Sequence, residues 1–480
     1  MSKKKQTIEE EVAEALVPKE EQPYNVPENW LWSKIDSLFE LKSGKSIDKN
    51  DESDFGELLY VKVSDMNLEE NSKEIRVSNR YVQDSEKYKK ALIPPKSVIF
   101  PKRGGAILTN KKRLVNKEIL CDLNIMAVIS NKSIDESYLY YWFLTVDLAK
   151  LNNGSSVPQI NNKDIGPLNF PLPPLNEQKR IAEKVECLLN KVEEAKQLVE
   201  EVKETFELRR AAILDKAFRG ELTKKWRKEN SFQQNEEEYT SDNELRGSKA
   251  LHSIPKTWKW TKLKDIATFK NGYAFKSKDF VEQGIQLIRM GNLYKNELRL
   301  DRNPVYIPLD FDEKILEKYA VENGDILLSL TGTKYKRDYG YAVRVSERDE
   351  SLLLNQRILS LKPHFMDQYI YYYLQSSVFR DVFFSFETGG VNQGNVGSKV
   401  VESILIPLPS IDEAKEIEKQ LARLLNNEKE SLMVLNVEEQ LETLKQSILS
   451  KAFRGELGTN DSSEESAIEL LKEVLQEKIK

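Results

Sequence analysis

Ile213-Leu214-Asp215-Lys216-Ala217-Phe218-Arg219-Gly220-Glu221-Leu222 returns 235 residues later as Ile448-Leu449-Ser450-Lys451-Ala452-Phe453-Arg454-Gly455-Glu456-Leu457. Nine of the ten residues are identical, which chance does not produce at this length, and an internal repeat outranks other clues to architecture. A period this long is no solenoid; it marks a duplicated domain with its connector. Working outward, Val26-Pro27-Glu28-Asn29-Trp30-Leu31-Trp32 matches Ile254-Pro255-Lys256-Thr257-Trp258-Lys259-Trp260. Tyr138-Leu139-Tyr140-Tyr141 matches Tyr369-Ile370-Tyr371-Tyr372, and Phe170-Pro171-Leu172-Pro173-Pro174 matches Ile406-Pro407-Leu408-Pro409-Ser410. The match is poorest around 66–90 and 294–318, so one frame carries two sets of divergent loops. That is the pattern of one scaffold reading two different targets.

The repeated motif closes a long helical pattern. Ile181, Val185, Leu188, Val192, Ala195, Val199, Val202, Phe206, Arg209 and Ile213 alternate four and three apart, a heptad seam with one polar member. Asn176 and Asp412 each follow a proline-rich run and precede Glu, as helix N-caps do. Gly220 supplies a left-handed C-cap. About 42 residues at a rise of 1.5 Å give a rod of ~60 Å. The second connector repeats the pattern with Ile417, Leu421, Leu424, then Val434, Val437, Leu441, Leu444 and Ile448, and its register slips by one residue around Asn427 to Glu430. An amphipathic helix needs something to bury its seam against, so the two pair, antiparallel if a two-fold relates the copies.

Short apolar runs at Leu58 to Val63, Ser97 to Phe100 and Asp325 to Leu330 read as strands, and Tyr138 to Thr145 and Tyr369 to Ser376 as short buried helices. The fold class expected is α+β: two pseudo-two-fold-related mixed α/β domains separated by a long antiparallel two-helix coiled coil. Along the chain this gives an acidic N-terminal arm (1–25), the first domain (26–175), the first long helix (176–222), a polar linker (223–253), the second domain (254–411), the second long helix (412–457) and an amphipathic tail (458–480). The arm stands where the second copy lacks its half of a linker, so the order is nearly circular and the ends belong on one side.

The 480 residues carry 73 Lys and Arg against 78 Asp and Glu, a net charge of −5. That counts against a simple non-specific nucleic-acid binder. The acid excess, however, sits in the arm and the tail, and the two domains are near neutral. Two cysteines without metal-like spacing suit a reducing, cytoplasmic setting. Met1-Ser2-Lys3-Lys4-Lys5 leads into acidic residues rather than an apolar core, so it is not a secretory signal. No run approaches the roughly 18 apolar residues of a membrane span.

Phe170-Pro-Leu-Pro-Pro-Leu-Asn-Glu-Gln-Lys-Arg-Ile181, leading into a helix closed by Lys216-Ala-Phe-Arg-Gly-Glu-Leu222, resembles the specificity subunit of type I restriction–modification systems. The same two signatures recur, more weakly at Ser410-Ile411-Asp412-Glu413-Ala414-Lys415, and the resemblance covers nearly the whole chain. It implies that each globular copy is a target recognition domain for one half of a bipartite double-stranded DNA site, with the helices as a ruler for the unread spacer. It further implies two modification subunits, which carry S-adenosylmethionine and methylate adenine at N6, and two ATP- and Mg-dependent restriction subunits. This chain itself is expected to bind no cofactor or metal.

Basic loops neutralise phosphates, and Arg can read guanine. Lys102, Arg103, Lys111, Lys112 and Arg113 form the densest basic patch of the first copy, and Lys334, Lys336 and Arg337 take the equivalent place in the second. Lys45 follows Gly44 after the first strand of copy one; Tyr273, Lys276 and Lys278 follow Gly272 in copy two. These are the candidate DNA contacts. Phe218, Arg219, Glu221, Phe453, Arg454 and Glu456 at the helix ends are candidates for docking the modification subunit. No catalytic residue is expected. The phosphate loop G-x-x-x-x-G-K-[ST] is missing, and His252 and His364 have no matching partners. Asn303-Pro304-Val305-Tyr306, one residue from an amino-methyltransferase motif, reads as a turn before a strand. The competing reading is a coiled-coil scaffold with two protein-binding heads and no DNA role.

Overall fold

The structure, a computed structural model, describes residues 7–82, 86–151, 158–230, 239–240, 252–346, 351–434 and 437–479. Its contacts divide the chain into two units, residues 1–198 with 437–480, and residues 199–436. Within each unit a domain opens and closes on one ribbon. Leu31–Lys34 pairs antiparallel with Asn169–Leu172, with Trp32 opposite Pro171. Lys259–Lys262 pairs with Leu405–Leu408 in the same register, with Trp260 opposite Pro407. Proline donates no ladder hydrogen bond and is confined to sheet edges; in a two-stranded ribbon every strand is an edge. Each prolyl carbonyl in turn accepts a buried tyrosine hydroxyl, Tyr138 at 2.8 Å on Pro171 and Tyr369 at 2.5 Å on Pro407. Those tyrosines sit on the expected short helices, Glu136–Thr145 and Asp367–Gln375.

The main sheet has one strand order in both copies: Glu40–Ser43, Ile125–Ile129, Ser97–Pro101, Arg113–Val115 in the first, and Ala267–Asn271, Ile358–Pro363, Ile326–Ser329, Ala342–Arg344 in the second. Ser97–Pro101 is buried along its whole length. Successive side chains point to opposite faces, so Val98 and Phe100 enter the core shared with the helices, while Ile99 enters a smaller distal core. Ile326 and Leu328 against Leu327 repeat the division. Burial on both faces explains why these strands read as continuous apolar runs rather than alternating ones. The distal layer is a small sheet. In copy one it orders Glu52–Ser53, Tyr81–Val82, Leu58–Val61, Leu120–Cys121; in copy two Tyr306–Ile307, Ile285–Ile288, Leu352–Leu354. The poorly matching segments around 66–90 and 294–318 contribute Tyr81–Val82 and Tyr306–Ile307 to this layer.

Helix Leu175–Phe218 is continuous, as its spacing predicts. Ile181, Val185 and Val192 join the first unit's core with Ile448, Leu449 and Phe453. Arg180 bonds Thr459 and Glu464 while Lys196 bonds Glu442, so the partner's numbers fall as this helix rises and the pair is antiparallel. Leu214, Ala217 and Phe218 join the second unit's core with Ala414, Ile417 and Leu421. The second connector departs from the expected single helix: it is two, Ile411–Val434 and Glu438–Phe453. A straight helix cannot keep a seam on one side when the apolar register slips, and the break follows the slip. The N-caps differ too. Ser410 Oγ accepts from the Glu413 backbone at 3.3 Å, and the Pro174 carbonyl from the Gln178 backbone at 3.0 Å. The helices therefore start before Asn176 and Asp412, which leaves Glu177 and Glu413 as side chains for other partners.

Arm and tail close the first unit. Helix Ile8–Ala15, boxed by reciprocal Thr7 and Glu10 bonds, shares its core with Ile468–Ile479 through Val12, Ala15, Leu471 and Val474. The expected linker starts with a helix, Lys224–Asn230; residues 231–238 and 241–251 of it, like 1–6 of the arm, lie outside the described residues. Among the described residues no helix is long and apolar enough to cross a membrane.

Both copies of the repeated motif end in the same lock. Glu221 N–H returns to the Lys216 carbonyl at 2.9 Å and Glu456 N–H to Lys451 at 2.8 Å, the six-to-one bond of a Schellman turn. Gly220 and Gly455 take the left-handed residue at φ 74° and 72°. A Cβ on either would stand 2.4 Å from the ring of Pro255 or Pro27. Gly458 shares the left-handed φ, at 69°, but has open space around it. Gly455→Ala is therefore expected to destabilise the first unit by roughly 2–4 kcal/mol, and Gly458→Ala by only ~1 kcal/mol; urea midpoints of the two variants check the difference.

Candidate nucleic-acid interface

In the first domain the basic patch divides between exposed and satisfied cations. Arg103 and Lys45 are exposed. Lys45 follows Gly44, where a Cβ would lie 2.1 Å from the Asp122 carbonyl oxygen, so only glycine lets the loop run this close to its neighbour. Lys102 is buried, donates to Ser43 Oγ at 2.7 Å, and has its pKa lowered by burial and then by Arg103. Lys111 is half-buried and bonds Asn67 Oδ1. Lys112 is not a surface cation: it is 1% exposed, and its ammonium donates to the Val146 carbonyl at 2.6 Å and Asn110 Oδ1 at 2.7 Å. Arg113 likewise spends its guanidinium on the carbonyls of Lys112 and Met66 at 2.7 and 2.8 Å. As placed, both tie loops together rather than standing free as cations on the surface.

In the second domain Lys276, Lys278, Lys336 and Arg337 are exposed. Lys334 is half-buried and donates to the Gly389 carbonyl at 3.1 Å; Arg337 pairs with Asp381 at 2.8 Å. Between them Tyr335 stands 80% exposed at a left-handed φ of 66°. Tyr273 is half-buried and packs against Phe275 and Tyr319, ring centroids 4.9 and 5.1 Å away, so it stands at the edge of an aromatic cluster. Sequence reasoning missed a further set. Arg289, Arg302 and Arg357, with Asn303, Asn355 and Gln356, line one cleft. They come from segments far apart in sequence, and no local pattern announces them.

The frame, its register and the two candidate faces can be set beside known proteins. A sequence model of the type I restriction modification DNA specificity domain matches residues 27–204 and again 255–437, together well over half of the chain. The chain belongs to this family. It is a type I specificity subunit, the part of such a restriction enzyme that is not itself catalytic. It is 24% identical over 459 residues to the EcoBI specificity subunit of Escherichia coli, covering 90% of this chain and 87% of the relative. It is 25% identical over 406 residues to the MjaVIII specificity subunit of Methanocaldococcus jannaschii, covering 79% and 85%. A solved structure described as the structural basis of complex assembly and conformational transition of the type I R-M system aligns at a TM-score of 0.62 and 19% identity, over 91% of this chain and 100% of that one. It supports the fold.

The docking residues expected of a specificity subunit also divide. Phe218 and Phe453 are 0% and 1% exposed, with Phe218 against Tyr369 and Phe453 against Tyr138 at ring distances of 5.2 and 5.3 Å. They are core residues, packed where each helix ends. Arg219 bonds Asp215 at 2.7 Å, Arg454 lies over the Tyr24 ring at 4.7 Å, and Glu221 and Glu456 are exposed. Behind these ends sits a buried node. Glu413 accepts from Arg227 at 2.5 Å, Thr223 at 2.7 Å and Trp258 at 2.8 Å; in the first unit Glu177 accepts from Thr459 at 2.7 Å and Arg180 at 2.8 Å. Among the described residues no cluster of metal-ligating side chains occurs.

Lys112 gives a test of its structural role. Burial, with the Lys445 charge adding a smaller push, lowers its pKa from 10.5 to about 8. Between those values the unfolded chain binds more protons than the folded one, so this group makes stability rise with pH from about 8 to about 10.5. Lys112→Met is expected to abolish that rise, read as the difference between wild-type and variant urea midpoints across the window.

Proposed function

We propose that this subunit reads an asymmetric bipartite sequence in double-stranded DNA. The domain at 26–175 reads one half, the domain at 254–411 the other, and the long helices set the unread spacer between them. One observation carries this reading: two domains share ribbon register and main-sheet order, while their differences gather in the distal layer. Two similar readers on one frame suit a two-part site, and different distal layers suit halves of different sequence. The names of the relatives, all specificity subunits, support it.

Phosphate contact falls to Lys45, Lys102, Arg103 and Lys111 in the first domain and to Lys276, Lys278, Lys334, Lys336 and Arg337 in the second. Arg219 and Glu221 in one unit and Arg454 and Glu456 in the other are each docking positions for a modification subunit, and the two modification subunits bring S-adenosylmethionine and methylate adenine at N6. Two restriction subunits, using ATP and Mg, cleave DNA left unmodified.

Mapping N6-methyladenine in host DNA with and without this chain is the deciding experiment. A split motif with a fixed gap should lose its methylation on deletion, and exchanging residues 26–175 for another family member's should change one half only. An unchanged pattern beside an active modification subunit would overturn the reading in favour of the scaffold. In the assembled methyltransferase, Lys336→Ala with Arg337→Ala should weaken DNA binding and reduce the slope of log affinity against log salt by about one unit per removed contact.

A further inference from the structure

Four stretches of the second domain converge on a cleft of about 380 Å³, around Ser277, Arg289, Arg302 and the loop Asn355 to Arg357. Three arginines line it, with Asn303, Asn355 and Gln356 among them, and no Asp or Glu belongs to the lining. The backbone that carries two of the arginines is fixed by one buried residue. Asn292 accepts the Arg289 N–H at 2.8 Å and donates to the carbonyls of Arg299 and Arg302, both at 2.9 Å. Arg302 is held over the Tyr294 ring at 4.1 Å. Among the described residues none of the three arginines makes a salt bridge, although Asp301, outside the lining, lies close enough for the Arg302 charge to add to the Arg299 bond that holds its carboxyl down. Such a gathering of like charges departs from the usual electrostatic logic of a surface, and such departures gather at functional sites.

The first domain keeps the frame of this cleft and changes its charge. Lys62 stands where Arg289 does, its N–H accepted at 2.8 Å by Asp65 three residues on. Asp122 stands where Asn355 does, each carbonyl oxygen lying 2.1 Å from the point a Cβ on Gly44 or Gly272 would occupy. Here the cations are spent: Lys62 on Glu52 at 2.7 Å, Arg80 on Glu52 at 2.8 Å and on Asp54 at 2.7 Å. An arginine cleft is thus particular to the second domain.

We propose, resting on the DNA-reading function above, that this cleft is the base-reading site of the second domain and that its half of the target contains a G·C pair read there by arginine. A guanidinium fork matches O6 and N7 of guanine in the major groove, and side-chain amides match adenine. The rims suit a duplex. Lys276 and Lys278 flank Ser277. Another lining residue, Met290, accepts a bond at Sδ from Thr331 Oγ1 at 3.2 Å, at the start of the segment that leads to Lys334, Lys336 and Arg337. Phosphate cations therefore flank an acceptor-seeking interior.

A phosphate offers the same acceptor chemistry as a guanine edge, and lysine separates the two because it keeps the charge but loses the planar fork. Arg289→Lys, Arg302→Lys and Arg357→Lys, each assembled with the modification subunits, are compared by N6-methyladenine mapping. At least one should make a single G·C position of the second half-site degenerate, with discrimination falling roughly ten- to a hundred-fold, while the first half and the gap stay unchanged. If all three keep the wild-type motif, or only slow methylation uniformly at every site, base reading by this cleft is overturned; so too if the second half-site holds no G·C pair. The wild-type arm separates the two ideas: no chain-dependent split motif sinks the DNA-reading function itself, whereas an intact motif in every variant sinks the cleft alone.

Discussion

The burial of two phenylalanines governs the rest of the structure. Phe218 ends the helix that follows the first domain, yet it packs in the core of the second between Tyr369 and Tyr373. Phe453 ends the helix that follows the second domain and packs in the core of the first. Each domain is completed by the closing helix of the other copy. Once these rings are seated, the chain must turn sharply just beyond them, which calls for Gly220 and Gly455 in the left-handed region. The turn brings the next residues against Pro255 and Pro27. From there Trp258 reaches Glu413, and Trp30 reaches Asn460. Burying a carboxylate is costly unless it is paired and hydrogen-bonded, and Arg227 with Thr223, or Arg180 with Thr459, meets that condition at each node.

Much of this frame was legible in the sequence. A repeated ten-residue motif, heptad spacing over 181–213 and apolar runs at 97–100 and 325–330 each report a periodicity that local geometry imposes, and the main sheet, the buried tyrosine helices and the long helix follow from them. The break in the second connector was half legible, as a register slip whose consequence needed the partner helix. The charged residues were the least legible. Lys112 and Arg113 look like their exposed neighbours because burial of a cation depends on carbonyls, such as those of Val146 and Met66, that sequence does not bring together. Which core receives Phe218 and which Phe453 was hidden for the same reason: the destination of a helix end is a long-range fact. The arginine cleft was invisible, since its members share neither a segment nor a period.

The same division between local and long-range order separates scaffold from reader. Helices, ribbon and main sheet enclose the large core of each domain, and the motifs that match best between copies lie there. The distal sheets enclose small cores of their own, and here one copy sets Glu52 and Asp54 against its cations while the other gathers Arg289, Arg302 and Arg357 along a lining without a carboxylate. The overall acidity of the chain is therefore a property of arm, tail and long helices rather than of the two domains, and says little about the distal layers.

The central strand of each main sheet sits between these two worlds, with its side chains alternating between them. Val98 and Phe100 answer to the helices, Ile99 to the distal layer; Ile326 and Leu328 likewise, against Leu327. One strand thus carries two interleaved messages, read by different neighbours at alternate positions. The distal layer meets the frame through every second tooth of a comb, so one phase can be rewritten while the other holds the domain on its helices.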